Sequence, residues 1–103
     1  MKYIPISKEK IPYSFSIQLG AELFTFEIFY NKREDLFTIN LIKDKKYLCY
    51  GEPLIYGSFL FMEYRDIDYP VCLLVPMDEP FEQEEVTWDN FQDTTFLYVY
   101  DES

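Results

Sequence analysis

The stretch that decides the fold begins Tyr13-Ser-Phe-Ser-Ile-Gln-Leu19, breaks at Gly20-Ala21, and continues Glu22-Leu-Phe-Thr-Phe-Glu-Ile-Phe-Tyr30. A second break, Asn31-Lys-Arg-Glu-Asp35, leads into Leu36-Phe-Thr-Ile-Asn-Leu-Ile42. Large apolar residues alternate with small or polar ones in all three runs, which is the period of strands with one buried face. No apolar stripe at helical spacing crosses the first break. The stretch therefore predicts a three-stranded antiparallel meander with hairpin turns at the two breaks.

Further strand-like runs lie on both sides of this meander. They are Met1–Ile6, Tyr47–Tyr50, Leu54–Met62 (a kinked strand or an extended segment), Val71–Val75 and Thr94–Tyr100. Residues 76–93 lie between the last two runs. Within them, Pro76–Glu85 is expected to form a long acidic loop that cannot bury its charges and is the part most free to move. Val86–Phe91 is expected to form a short turn or one helical turn, with Trp88 folded back onto the domain. About seven strands in a single domain, residues 1–103, predict an all-β fold. We expect a small antiparallel β-sandwich or a partly open β-barrel, with the acidic loop near the C-terminus.

The charge is unevenly distributed along the chain. The formal net charge is −10, but residues 1–62 are close to balance, with eight Lys or Arg and seven Asp or Glu. Residues 63–103 hold twelve Asp or Glu and one cation, Arg65. Such an acidic half repels a phosphate backbone and an anionic membrane, so neither nucleic acid nor membrane is expected as a partner. The acidity either attracts a partner with a basic surface or keeps an aromatic-rich protein in solution.

The residue types limit the available chemistry. Without histidine, the chain lacks the usual general base near neutral pH and the commonest zinc ligand. Carboxylates remain, in the pair Asp66 and Asp68 and in the cluster Glu82, Glu84 and Glu85, and such groups can hydrolyse glycosides or hold calcium. Neither group has the spacing of a calcium loop, and a solvated acidic loop is the simpler interpretation. We therefore expect no catalytic residue, no bound metal and no cofactor.

Two sets of residues are candidates for other roles. Possible contacts with a partner are Tyr64, Arg65, Asp66, Tyr69, Glu82, Glu84, Glu85 and Trp88. An exposed ion pair contributes only about 0–1 kcal/mol, so local pairing alone is a weak explanation for the isolated cation Arg65. The structural set lies in the second hairpin turn. There, Asn31 tolerates a left-handed conformation, Asp35 can bond its own backbone, and Arg33 lies between them.

The sequence also resembles a phage family, the plug domain of contractile-tail baseplates of the cyanophage type, from about Ile4 to Tyr100. The most specific piece is Phe26-Glu-Ile-Phe-Tyr-Asn-Lys-Arg-Glu-Asp-Leu-Phe-Thr-Ile-Asn-Leu41. Family members have a strand ending in Tyr-Asn, a charged turn with Arg, and an aromatic residue that begins the next strand. The corresponding residues are Tyr30, Asn31, Arg33 and Phe37. Tyr64-Arg-Asp66 before Pro70, and Phe96–Tyr100, are similar as well, whereas Phe37 and Val71 replace a tryptophan and a glycine common in the family.

The resemblance implies a non-enzymatic structural component of a phage or prophage-derived tail baseplate. Such a protein would dock at the central hub at the end of the tail tube, with other tail or baseplate proteins as partners. The baseplate setting also implies repeated copies within the assembly. The residues Met1–Ser7 lack the features of a signal peptide, so we expect synthesis in the host cytoplasm followed by assembly into the virion tail.

Two other functions remain open at this point. The first is a small β-fold module that binds carbohydrate or peptide, which would place Tyr69 and Trp88 on one exposed patch. The second is a hydrolase that depends on two carboxylates, which would have to converge in a cleft about 5–9 Å apart.

Overall fold

The computed structural model describes residues 2–62 and 68–100, and this part of the chain forms two antiparallel sheets. The strands are β1 (Lys2–Ile4), β2 (Tyr13–Leu19), β3 (Glu22–Asn31), β4 (Leu36–Lys43), β5 (Lys46–Pro53), β6 (Leu73–Met77) and β7 (Phe96–Tyr100). One sheet has the order β2-β3-β4-β5 and the other β1-β7-β6, and the two do not close into a barrel. The prediction of an all-β fold with about seven strands is confirmed, and the architecture is sandwich-like.

The four-stranded sheet contains the meander that the sequence predicts. Side chains in a strand alternate between faces, so one set from β3 and one from β4 face the three-stranded sheet. These are Phe24, Phe26, Ile28, Phe37, Ile39 and Leu41, all at most 1% exposed. Each fully buried side chain of this size contributes about 1.5–3 kcal/mol relative to an exposed one. The alternation that decided the fold is thus the main source of its core.

The three-stranded sheet forms the opposite wall of the core. Ile4, Leu74 and Leu97, one from each strand, pack into the main apolar cluster. On the other face, Val75, Met77 and Tyr98 form a second, smaller cluster. The apolar run Val71–Val75 was expected to form a strand. The strand β6 begins two residues later, at Leu73, and side chains on both of its faces are buried. Val71 precedes it and is exposed.

The segment Leu54–Met62 is not a strand, although a kinked strand was one of the two expectations for it. It contains two turns and lies along the outer edge of β6. The backbone N–H of Gly57 donates to the carbonyl of Pro76, and that of Leu60 donates to the carbonyl of Leu74, both at 2.8 Å. The segment therefore satisfies edge carbonyls of β6 without continuing the sheet.

The acidic loop between β6 and β7 is packed against the domain. It begins at Asp78 instead of Pro76, because β6 continues to Met77. Phe91 is fully buried and Val86 is buried, and both belong to the main apolar cluster. Phe91 also forms an isolated bridge with Thr95. Side chains at two points of the loop thus contribute to the core of the domain.

Candidate functional site

The hairpin turn between β3 and β4 positions the first part of the candidate site. The side-chain oxygen of Asn31 accepts hydrogen bonds from the backbone N–H groups of Arg33 at 3.0 Å and Glu34 at 3.2 Å. Asp35 has a φ of 50°, in the left-handed region. The expected roles were the reverse, a left-handed Asn31 and a backbone-bonding Asp35, and that expectation was wrong. Asn31 forms the side-chain turn and Asp35 takes the left-handed conformation, both of which Asn and Asp tolerate.

Asp35 connects this turn to the acidic loop. One of its carboxylate oxygens, Oδ1, accepts hydrogen bonds from the Tyr30 hydroxyl at 2.7 Å and from the backbone N–H of Trp88 at 2.9 Å. The hydrogen bond to Asp35 is the main reason that the pKa of Tyr30 rises to about 12, since it holds the phenolic proton. Trp88 is 53 positions from Asp35 in the chain, so this hydrogen bond holds the acidic loop against the β3–β4 turn.

The ring of Trp88 is held between aromatic and cationic neighbours. It stacks on Phe37 with centroids 5.9 Å apart and planes at 10°, and its centroid lies 4.8 Å from that of Tyr30. The Lys8 ammonium lies 5.3 Å from the ring centroid and donates to the Trp88 carbonyl. Even so, Trp88 remains 36% exposed. We call Tyr30, Asp35, Phe37 and Trp88 the Trp88 corner.

Two shallow depressions lie beside this corner. One, of about 650 Å³, is lined by Tyr30, Lys32, Asp35, Trp88 and Asp89. The other, of about 590 Å³, is lined by Glu82, Gln83, Glu84, Glu85, Thr87, Asp89, Asn90, Asp93 and Thr94. Asp89 lines both, so the aromatic corner and the acidic depression are neighbours on the surface of the domain.

Asn90 organises the backbone beneath the acidic depression. Its side-chain oxygen accepts from the Thr87 N–H at 2.9 Å, and its own backbone N–H donates to the Thr87 hydroxyl at 3.1 Å. Its amide nitrogen donates to the Glu85 carbonyl at 2.9 Å and to the Gln83 side chain at 3.3 Å. The glutamates are therefore presented on a loop that has its own hydrogen-bond network.

Asp78 holds the other end of the loop. It is only 2% exposed, and its carboxylate accepts hydrogen bonds from the Tyr56 hydroxyl and from the backbone N–H groups of Glu82 and Gln83. Burial by itself would raise the pKa of Asp78, but these hydrogen bonds outweigh burial and lower the pKa below its ordinary value. The expectation that the loop cannot bury its charges was wrong for this residue. An Asp that opens a turn after a buried strand is the sequence signal for such a role.

Tyr69 lies apart from the Trp88 corner. It is 7% exposed, packs edge-on against Phe61 in the main core, and donates from its hydroxyl to the Leu48 carbonyl at 3.0 Å. The hypothesis of an exposed patch shared by Tyr69 and Trp88 is therefore wrong. It failed because an isolated Tyr between a loop and a strand gives no sequence signal of which way its ring points.

The remaining predicted contacts divide into two groups. Tyr64, Arg65 and Asp66 lie outside the described residues. Glu82, Glu84 and Glu85 lie together around the acidic depression and are exposed. Within residues 2–62 and 68–100, no group of three or more acidic or cysteine side chains could hold a metal ion. In the same ranges, no helix is long and apolar enough to span a membrane. Chemically, the surface combines a half-exposed indole with several carboxylates, which suits recognition of cationic groups.

The fold and this surface define a small sandwich-like β domain with an aromatic and acidic exposed face. Comparison with protein families assigns the domain more specifically. The family described as "Cyanophage baseplate Pam3 plug gp18" matches residues 1–103, the whole chain, and the protein belongs to that family. The resemblance seen in the strand and turn residues is confirmed. No match was found among curated proteins or among solved structures.

Membership of this family gives the general role of the protein. The chain is a phage baseplate plug, a structural component. A baseplate plug interacts with other baseplate or tail proteins, and its location is the virion tail.

Proposed function

We propose that this protein is a non-enzymatic plug that docks at the central hub at the end of the phage tail tube. The observation that carries the proposal is the family match over residues 1–103. The domain geometry supports it, because a packed β scaffold holds an acidic loop in place through Asp78, Phe91 and Asn90. A fixed loop loses little entropy on binding, which favours docking.

The surface that we propose for docking consists of the Trp88 corner together with Glu82, Glu84 and Glu85. Trp88 is partly exposed and already stacked on Phe37, so the exposed part of its ring can contact a partner without first being ordered. The neighbouring carboxylates are exposed and would meet a basic surface on the hub. Complementary charge of this kind mainly accelerates and orients association.

The test uses this chain and the tail proteins encoded beside its gene, co-expressed and purified as a complex. Reversing one charge in the acidic depression, Glu85→Lys, is expected to slow association and to weaken its dependence on salt concentration. Asp44→Lys is the matched control, since it makes the same change of charge in the exposed turn between β4 and β5. Asp44 and Lys45 both have a positive φ, 52° and 66°, so a urea titration of Asp44→Lys is included to check that the control remains folded.

Two results would contradict the proposal in different ways. Equal association rates for Glu85→Lys and Asp44→Lys would remove the acidic depression from the docking surface. Failure of the unaltered chain to bind any co-expressed tail protein, together with its absence from purified particles by mass spectrometry, would refute the docking role itself.

A further inference from the structure

The two sheets have four outer edges, and three of them carry features that prevent pairing with another strand. β1 has only three residues and is followed by Pro5. The edge of β6 is covered by the backbone N–H groups of Gly57 and Leu60. β5 begins with Lys46, and its pairing with β4 contains two register shifts. Short length, proline, charge, bulges and covering segments are the usual ways in which proteins protect sheet edges.

Within residues 2–62 and 68–100, the fourth edge, β2, carries none of these features inside the strand itself; a proline, Pro12, directly precedes it. It is seven residues long, pairs with β3 in continuous register, and contains no charged residue, proline or bulge between Tyr13 and Leu19. Among the described residues, no backbone hydrogen bond outside the sheet reaches β2. An edge of this kind is a template for another strand.

The register also determines which backbone groups point outward. The turn at Gly20-Ala21 has two residues, so Leu19 and Glu22 close the hairpin as a hydrogen-bonded pair. Such pairs alternate along an antiparallel ladder, and therefore the N–H and C=O groups of Ser14, Ser16 and Gln18 point away from β3. These three residues occupy alternate positions along β2, so their outward N–H and C=O groups have the spacing with which a further strand pairs.

A groove lies alongside this edge, between the two sheets. It has a volume of about 650 Å³. Ile17, Gln18 and Leu19 of β2 line one side of it, and Tyr3 and Ile4 of β1 line the other. Most of the lining is apolar, and Lys2 and Gln18 add a charged and an amide side chain. The groove therefore suits an extended segment whose backbone pairs with β2 and whose alternate side chains are mainly apolar.

We propose that β2 pairs with an extended segment of another tail protein, whose apolar side chains enter the groove beside β1. This inference rests on the proposed function, and it adds a second contact surface of different chemistry. The charge of the chain argues for a different protein as the occupant instead of a second copy. Each copy has a formal net charge of −10, and two copies paired along β2 would repel one another, because this edge has no charged side chains that could form ion pairs between them. The segment is expected to carry no excess negative charge.

The experiment measures binding of the co-expressed, purified tail proteins to variants of the full chain. Gln18→Pro removes one outward donor, and a proline at such an edge position leaves the ladder with β3 intact. We expect a dissociation constant about tenfold higher or more, through the lost hydrogen bond and the steric block. Hydrogen exchange should also show that the amides of Ser14, Ser16 and Gln18 become protected in the complex.

A second variant covers the case in which Gln18→Pro fails to fold. Ser16→Lys keeps the backbone donor and adds a charge to the edge, which is expected to weaken binding in the same direction. Its control is Leu23→Lys, opposite Gln18 but one strand inside the sheet, at a side chain that is 62% exposed. The control should bind within about twofold of the unaltered chain, as surface substitutions usually do.

The outcomes separate this inference from the proposed function. If the unaltered chain binds its partners and both edge variants bind equally well, the inference is overturned while the docking role stands. If the unaltered chain binds no tail protein, both fail. If it instead forms a dimer in sedimentation experiments that Gln18→Pro abolishes, β2 pairs with a second copy, and the occupant proposed here is wrong.

Discussion

Replacing Phe91 by alanine tests whether the acidic loop is an integral part of the domain. Phe91 is fully buried, and its ring centroid lies 4.7 Å from that of Phe37, beneath the Trp88 corner. Truncating a fully buried phenylalanine to alanine costs about 3–5 kcal/mol, through lost burial and the cavity left behind. Domains of this kind have total stabilities of about 5–15 kcal/mol, so Phe91→Ala should remove a large part of the free energy of unfolding.

The matched control is Phe81→Ala, the same substitution in the same loop. Phe81 is 67% exposed, so its removal should change the free energy of unfolding by no more than about 0.5 kcal/mol. Urea unfolding followed by the fluorescence of Trp88, the single tryptophan, measures both variants. The midpoint for Phe91→Ala should fall by about 1 M or more, given the usual urea dependence. Similar small changes in the two variants would refute the packing of the loop on the core.

Three further predictions concern the polar contacts of the site. The pKa of Asp78 is lowered on folding, so its contribution to stability is present above about pH 4 and is lost as pH falls through the folded value. In urea titrations at several pH values, the free energy of unfolding should therefore fall less on acidification for Asp78→Asn than for the unaltered chain. Asp35→Ala removes the acceptor of the Tyr30 hydroxyl, so the pKa of Tyr30 should fall from about 12 toward its ordinary value, as measured by tyrosinate absorbance. An unchanged titration would contradict the role given to that hydrogen bond. Asn31→Ala loses two side-chain hydrogen bonds in the turn and should cost about 0.5–2 kcal/mol in urea unfolding; no measurable loss would show that water replaces them.

Some features of the site could be predicted from sequence because they are local. Asn31 and Asp35 could be assigned to a turn, since their side chains favour such conformations within a few residues. The acidic character of residues 82–85 follows from composition alone. Which of the two residues bonds the backbone of the turn itself was not predictable, because the carboxylate of Asp35 bonds instead to the backbone N–H of Trp88, 53 positions away.

The sequence by itself determined the three meander strands β2, β3 and β4 and the faces that they bury. The alternation of Phe24, Phe26 and Ile28 has a period of two, and a shift of one residue would expose the whole set, so neighbours along the chain are sufficient to specify it. The tertiary structure alone decided the burial of Tyr69 and Asp78. Each is polar, and its burial depends on distant groups, the Leu48 carbonyl for one and the Tyr56 hydroxyl for the other. A polar side chain can be buried only where the fold provides its hydrogen-bond partners, and partners that are distant in the chain cannot be predicted from the neighbouring sequence.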